Sequence, residues 1–174
     1  LKRNVGNGDF TIETKYGNYT ADTSGNNSVV ILRVSDGTEN NLVEIQRFSD
    51  GKLKLLLINN GTQTDYTTAT DFAATEGWFQ LGYDSTTKKV IAKYKNSDSA
   101  AYTALTGDGQ IMSDFGGAHV AEIRAQKWGG SSPVLIDFLQ FNSTFVKEAV
   151  YKTNEDTDFT TAVLGDDWYG KQGT

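Results

Sequence analysis

The sequence predicts an all-β fold, a two-sheet antiparallel β-sandwich in one domain spanning 1–174. Three observations predict it. Glycine is frequent and proline occurs once. Short apolar runs alternate with polar residues and break at clusters of Thr, Asn, Asp and Ser, the texture of strands joined by tight turns. No window carries a sustained 3.6-residue apolar stripe, so helices are not expected.

The elements follow in order. "DFTIETKYG" places Phe10, Ile12, Thr14 and Tyr16 on one face of a strand. "NSVVILRVSDG" is an almost unbroken β-branched run, which suits a strand buried on both faces. "NLVEIQRFSDGKLKLLLINNG" reads as a hairpin, 42–48 against 53–58, turning at Asp50-Gly51. "DFAATEGW" offers one helical turn at most. "GWFQLGYDSTTKKVIAKYKN" reads as a second hairpin, 78–83 against 90–94. "HVAEIRAQKW" and "PVLIDFLQF" read as a third pair joined by "GGSS". After "FNSTF" the chain turns polar, so residues 1–145 are expected to hold the main sandwich.

Composition narrows the function. The net charge of −6 disfavours phosphate backbones, so nucleic acid is not an expected partner. No run of 18 apolar residues occurs, so no membrane span is expected. Cysteine is absent, which removes thiolate metal sites and disulfides. "NYT", "NNS", "NGT" and "NST" match the glycosylation pattern, as an Asn- and Thr-rich chain does by chance.

The ordered set "GDFTIETKY", the hairpins, "EGWFQLGYDSTTKKVIAKYKN" and "VLIDFLQF" resembles the concanavalin A-like lectin/glucanase jelly roll over residues 8–141. The resemblance implies a jelly-roll sandwich. That superfamily usually opens with a "D-x-F-x-x-x-x-L-x-x-x-W" element. Here the similar stretch is the C-terminal "DFTTAVLGDDWYGKQGT", with Phe159, Leu164 and Trp168. Residues 156–174 are therefore a candidate first strand displaced to the C-terminus, by permutation or by excision from a tandem array. An ordinary extra strand or lid is the plainer alternative.

Glucanases of this superfamily carry "E-x-D-x-x-E" on one strand, and alginate-lyase jelly rolls carry "Q-I-H" with "Y-x-K-x-G-x-Y". Neither pattern is present. Glu44, Glu76 and Glu122 stand alone, and retaining chemistry needs two carboxyls about 5 Å apart. The only histidine, His119, has no evident partner and reads as structural. The resemblance thus implies a non-catalytic carbohydrate-binding module of an exported polysaccharide-active or cell-surface protein, bacterial and secreted or surface-held. Its partners would be a polysaccharide or glycan and a larger parent chain. A glycoside hydrolase or lyase of the same fold, or a structural and adhesive repeat, stand as alternatives.

The residues suggest where a glycan would sit. Trp128, beside a Gly- and Ser-rich loop, is a candidate stacking platform, because a flat ring gives large contact with few rotors to freeze. Arg124, Gln126 and Trp128 share a strand face by the period of two, with Lys127 beside them. Arg47 and Glu44 are expected on a neighbouring strand of a concave sheet. Tyr94 and Tyr102 are weaker candidates, Trp78 is expected in the core, and Lys88 and Lys89 mark a hairpin tip. By the resemblance, Asp137 in "VLIDFLQF" would hold a structural calcium ion with Gly8, Asp9, Asp156 and Asp158. Simple alternation with Asp137 facing water is the competing account, and Asp166 and Asp167 read as a turn.

Overall fold

The computed structural model describes residues 2–6, 8–20, 28–106, 108–112, 115, 119–127, 135–145 and 168–169, with backbone only for 2–4, 20, 64–70, 127, 135–145 and 168–169. It is a two-sheet antiparallel β-sandwich of the jelly-roll kind, with no helix among the described residues. The strands are β1 (Lys2–Gly6), β2 (Phe10–Thr20), β3 (Ser28–Ser35), β4 (Leu42–Phe48), β5 (Lys52–Asn59), β6 (Thr62–Asp71), β7 (Gly77–Asp84), β8 (Lys89–Lys95), β9 (Thr103–Ala104), β10 (Gln110–Ile111), β11 (His119–Lys127), β12 (Leu135–Phe145) and β13 (Trp168–Tyr169). Sheet A is seven-stranded, in the order β13-β1-β11-β3-β4-β5-β6. Sheet B is six-stranded, in the order β10-β8-β7-β2-β12, with β9 also paired to β8.

The first two predicted hairpins are present. Leu42 faces Ile58 and Arg47 faces Leu53, around a turn in which Gly51 takes φ 86°. Trp78 faces Lys95 and Tyr83 faces Val90. The stretch 72–76 is irregular and forms no helical turn.

The third expected pair is corrected. β11 and β12 do not pair. β11 lies inside sheet A between β1 and β3, while β12 edges sheet B against β2. A Gly-Ser linker resembles a hairpin loop, yet the backbones of these two strands make their ladder bonds in opposite layers.

The core lies between the sheets. Phe10, Ile12, Tyr16, Phe79, Leu81, Tyr83, Val90 and Ala92 of sheet B meet Val30, Leu32, Val34, Val43, Ile45, Leu53, Leu55, Leu57 and Ile123 of sheet A. Each such aliphatic side chain contributes about 1.5–3 kcal/mol through burial. Every residue of β3 is buried, including Val29 and Ile31, which point away from this core. The β-branched run therefore serves two covered faces.

Trp78 is buried, as expected, but not between the sheets. Its neighbour Phe79 enters the core, so the alternation of β7 turns Trp78 to the outer face of sheet B. It is nevertheless only 6% exposed, because other side chains cover it there. At the C-terminal end the backbone of Trp168–Tyr169 pairs with Arg3 and Lys2, adding a short edge strand to sheet A.

Candidate functional site

The expected row on β11 and β4 forms in part. Both strands flank β3, and Arg33 on that middle strand, which sequence reasoning missed, joins them. Arg33 Nη1 donates to Glu44 Oε1 at 3.3 Å and Arg124 Nη2 donates to the same oxygen at 3.0 Å. Gln46 Nε2 donates to Glu44 Oε2 at 2.6 Å, and Arg33 Nη2 reaches Glu39 at 2.6 Å. Glu44 is 3% exposed and both of its oxygens are engaged. A carboxylate so buried and so paired holds strands together and has little left for a ligand.

Arg47 is corrected. It does not join that row. It lies on the opposite face of β4, three positions from Glu44, paired across to Val30 and Leu53. Its guanidinium sits 5.3 Å from the Tyr19 ring, inside the sandwich. Gln126 follows Arg124 on the outer face of β11, opposite Val29. Lys127 ends β11 opposite Ser28 in backbone register, and Trp128 lies outside the described residues.

Of the expected metal ligands, Asp137 and Asp9 stand at different ends of β2. Asp137 pairs in register with Gly17, while Phe10, next to Asp9, pairs with Phe145. Eight steps along the chain separate Asp9 from Gly17, about 25 Å of strand. Asp9 Oδ1 instead accepts from Ser85 N (2.8 Å) and Ser85 Oγ (2.6 Å), bonds that hold its carboxyl below the usual range. Gly8 belongs to that same end. Asp156 and Asp158 lie outside the described residues, as do Asp166 and Asp167. Among the described residues no group of three acidic or histidine side chains could hold a metal ion, and the Asp137 side chain is not among them.

His119 is fully buried in an aromatic nest, 4.3 Å from the Phe115 ring, 5.4 Å from Phe10 and 5.3 Å from Tyr83. Its Nε2 bonds the Phe115 carbonyl at 3.2 Å, and among the described residues its Nδ1 has no partner. Burial pushes its pKa down, so it sits neutral in the core.

A second cluster, missed in the sequence, occupies the outer face of sheet B. Register sets three parallel rows there: Thr11, Gly82, Ile91; Glu13, Gln80, Lys93; Lys15, Trp78, Lys95. The segment between β8 and β9 folds back over this face. Its Asp98 accepts from Trp78 Nε1 at 2.7 Å and from Lys15 Nζ at 2.7 Å. Lys15 and then Trp78 draw the Asp98 carboxyl below its ordinary pKa. Lys95 Nζ stands 4.9 Å from the Trp78 ring and 5.0 Å from the Tyr102 ring. The Tyr102 hydroxyl donates to Glu13 Oε2, and Gln80 Nε2 donates to the same oxygen at 3.3 Å. Burial and then the bond to Glu13 push the Tyr102 hydroxyl far up, so it remains a donor at any working pH. Tyr102, one of the weaker sequence candidates, thus belongs to a cluster, whereas Tyr94 packs against the core and Phe72. Lys88 sits at the hairpin tip with φ 58°, as expected.

Among the described residues, then, the partly exposed polar groups with the most varied chemistry stand on the outer face of sheet B: carboxylate, amide, ammonium and phenol within neighbouring rows. Beside them Gly82 leaves a bare position, since a side-chain carbon there would meet nothing closer than 3.8 Å.

No protein-family model matches the chain, and no curated protein matches it. Solved structures do. A xylan β-1,4-xylosidase from Bacillus halodurans C-125 superposes with a TM-score of 0.59 at 14% identity, over 78% of this chain and 27% of that one. A GH43 protein from Bacillus licheniformis gives 0.58 at 14% identity with the same coverage. An alginate lyase from Corynebacterium sp. gives 0.51 at 12% identity, over 83% of this chain and 61% of that one. The chain spans about a quarter of the length of the two Bacillus proteins. At these identities the likeness is one of fold.

Proposed function

We propose that this domain is a non-catalytic carbohydrate-binding module, carried by a larger exported or surface-held polysaccharide-active protein, that reads a glycan on the outer face of sheet B. One observation carries the reading. Tyr102, Glu13, Gln80 and Lys93 come from separate strands and a folded-back segment, yet they stand together as partly exposed hydrogen-bonding groups beside the bare Gly82. Sugar hydroxyls need both donors and acceptors at fixed spacing, and a rigid sheet supplies that spacing. The fold likeness to part of two larger chains, one of them a xylosidase, supports a domain-sized accessory role.

The reading puts recognition in polar contacts. Trp78 is covered by Lys15 and Lys95, so its ring is the floor of the face, with Tyr102 as the exposed aromatic edge. Glu13 and Gln80 would fix hydroxyls, and Tyr102 would pre-set the orientation of Glu13.

Affinity electrophoresis against a panel of soluble polysaccharides tests it, with pull-down on insoluble ones. Glu13→Ala with Tyr102→Phe should abolish retention on a positive polymer and leave the fold intact. If Trp128→Ala abolishes retention while those variants bind normally, the ligand sits elsewhere. Release of reducing ends or unsaturated products would favour an enzyme, and no retention on any polymer would favour a structural repeat. A chelator arm addresses calcium directly.

A further inference from the structure

Resting on that reading, we infer that the glycan is acidic, with a carboxylate on the sugar, and that Lys93 receives this carboxylate. The chain carries a net −6, yet the outer face of sheet B gathers Lys15, Lys93 and Lys95 across β2 and β8. Two of these are engaged. Lys15 Nζ is bridged to Asp98 at 2.7 Å. Lys95 lies over the Trp78 and Tyr102 rings and donates to the Asp98 carbonyl at 3.2 Å. Lys93 is different. It stands half-buried between Gln80 and Ala104 in the central row, and among the described residues no ion pair or hydrogen bond holds its ammonium.

The groups beside it fix what it would take. Gln80 commits its Nε2 to Glu13 and keeps Oε1 as an acceptor for a hydroxyl. Adjacent strands are about 4.8 Å apart, roughly the width of one sugar ring. A ring lying across Gln80 and Lys93 would therefore present hydroxyls to the amide and its acidic substituent to the ammonium. Ala104, small and exposed, leaves the far side of Lys93 open. A single ammonium with the Glu13 carboxylate in the same row suits a monoanion. A sulfate or phosphate is better matched by the arginine fork, and no arginine stands in these rows.

The test compares polymers that differ only in charge. Polygalacturonate, alginate and glucuronoxylan are run against their methyl-esterified or carboxyl-reduced forms, with the whole chain as binder. At least one uronate polymer should be retained. Its retention should fall tenfold or more on esterification or reduction, on Lys93→Gln, and in raised salt. Lys54→Gln, on the far sheet, is the control and should bind as the parent does. Melting curves of Lys93→Gln matching the parent exclude a folding artefact. Equal retention of charged and uncharged forms, unaltered by Lys93→Gln, overturns the acidic-glycan inference while the binding reading survives. No retention on any polymer, acidic or neutral, removes the binding reading itself.

Discussion

The indole Nε1 of Trp78 donates to Asp98 Oδ1 at 2.7 Å, and this bond ties the segment after β8 down onto sheet B. Lys15 reaches the same carboxylate, so one exposed aspartate holds a ring and a cation in place. The bond places Tyr102, four residues on, against Glu13. Asp98→Ala should therefore loosen the segment and weaken glycan retention, with little change in global stability, since exposed ion pairs contribute little. The Asp98 pKa is lowered, by Lys15 first and Trp78 next. Its contribution is thus complete above the unfolded carboxylate range, near 3.8, and disappears as pH falls through the lowered folded value. The Trp78 indole N–H resonance, identified by its loss in Trp78→Phe, reports this. A resonance indifferent to Asp98→Ala would sink the tether.

Glu44 holds two arginines from two strands, and the response to its removal separates a structural role from a binding one. Glu44→Gln leaves the buried Arg33 with only the exposed Glu39 as a carboxylate partner and should cost about 3 kcal/mol, the lower end for a broken buried pair, in denaturant unfolding. Below its unfolding transition the variant should retain glycan as the parent does. Loss of retention by a folded Glu44→Gln would return the binding site to the β11 and β4 face.

The differences between sequence and structure have physical causes. The β4–β5 hairpin was legible because alternation and an Asp-Gly turn agree locally. β6 was not, since Thr62–Asp71 offers threonine and aspartate where a core strand shows apolar residues. Its signal was the Asn60-Gly61 pair, whose positive φ values of 49° and 73° form the two-residue turn. Trp78 and Phe79 are adjacent aromatics, and only cross-strand register decides which one faces in. Arg47 was placed beside Glu44 although a spacing of three puts them on opposite faces of a strand. The Glu13–Gln80 contact joins positions 67 apart, and sequence spacing carries no record of such a meeting.

Arg47 is 5% exposed, and among the described residues its Nε and Nη1 are buried without hydrogen-bond partners. Arginine cannot shed its charge, so the interior carries a cation that is only partly compensated, by the Tyr19 ring and the Tyr16 hydroxyl beside it. Methionine has similar reach and no charge. Arg47→Met should therefore be neutral or stabilising, by about 1 kcal/mol or more. Chemical denaturation with an unchanged m-value checks it. A loss above about 2 kcal/mol would mean that an acceptor faces this guanidinium and that its charge is needed.

His119 sets a pH limit that is separate from the carboxylates. Desolvation lowers its folded pKa below the ordinary 6.5, outweighing the Phe115 carbonyl and the field of Asp36. Lys88 adds a small push in the same downward direction. With the folded value depressed, the unfolded chain binds the proton first. Stability is then flat above about pH 6.5 and declines as pH falls from there to the folded value, where the loss levels off. Among the described residues no acceptor stands in bonding reach of Nδ1, so an imidazolium Nδ1–H would go unpaired among the rings of Phe10, Tyr83 and Phe115. His119→Phe should remove the decline between pH 7 and pH 5 and leave the acid limb near pH 4, which belongs to the carboxylates, in place. Parallel stability curves for parent and variant across that window would show that His119 takes up its proton equally easily folded and unfolded, and the buried neutral imidazole would have to be abandoned.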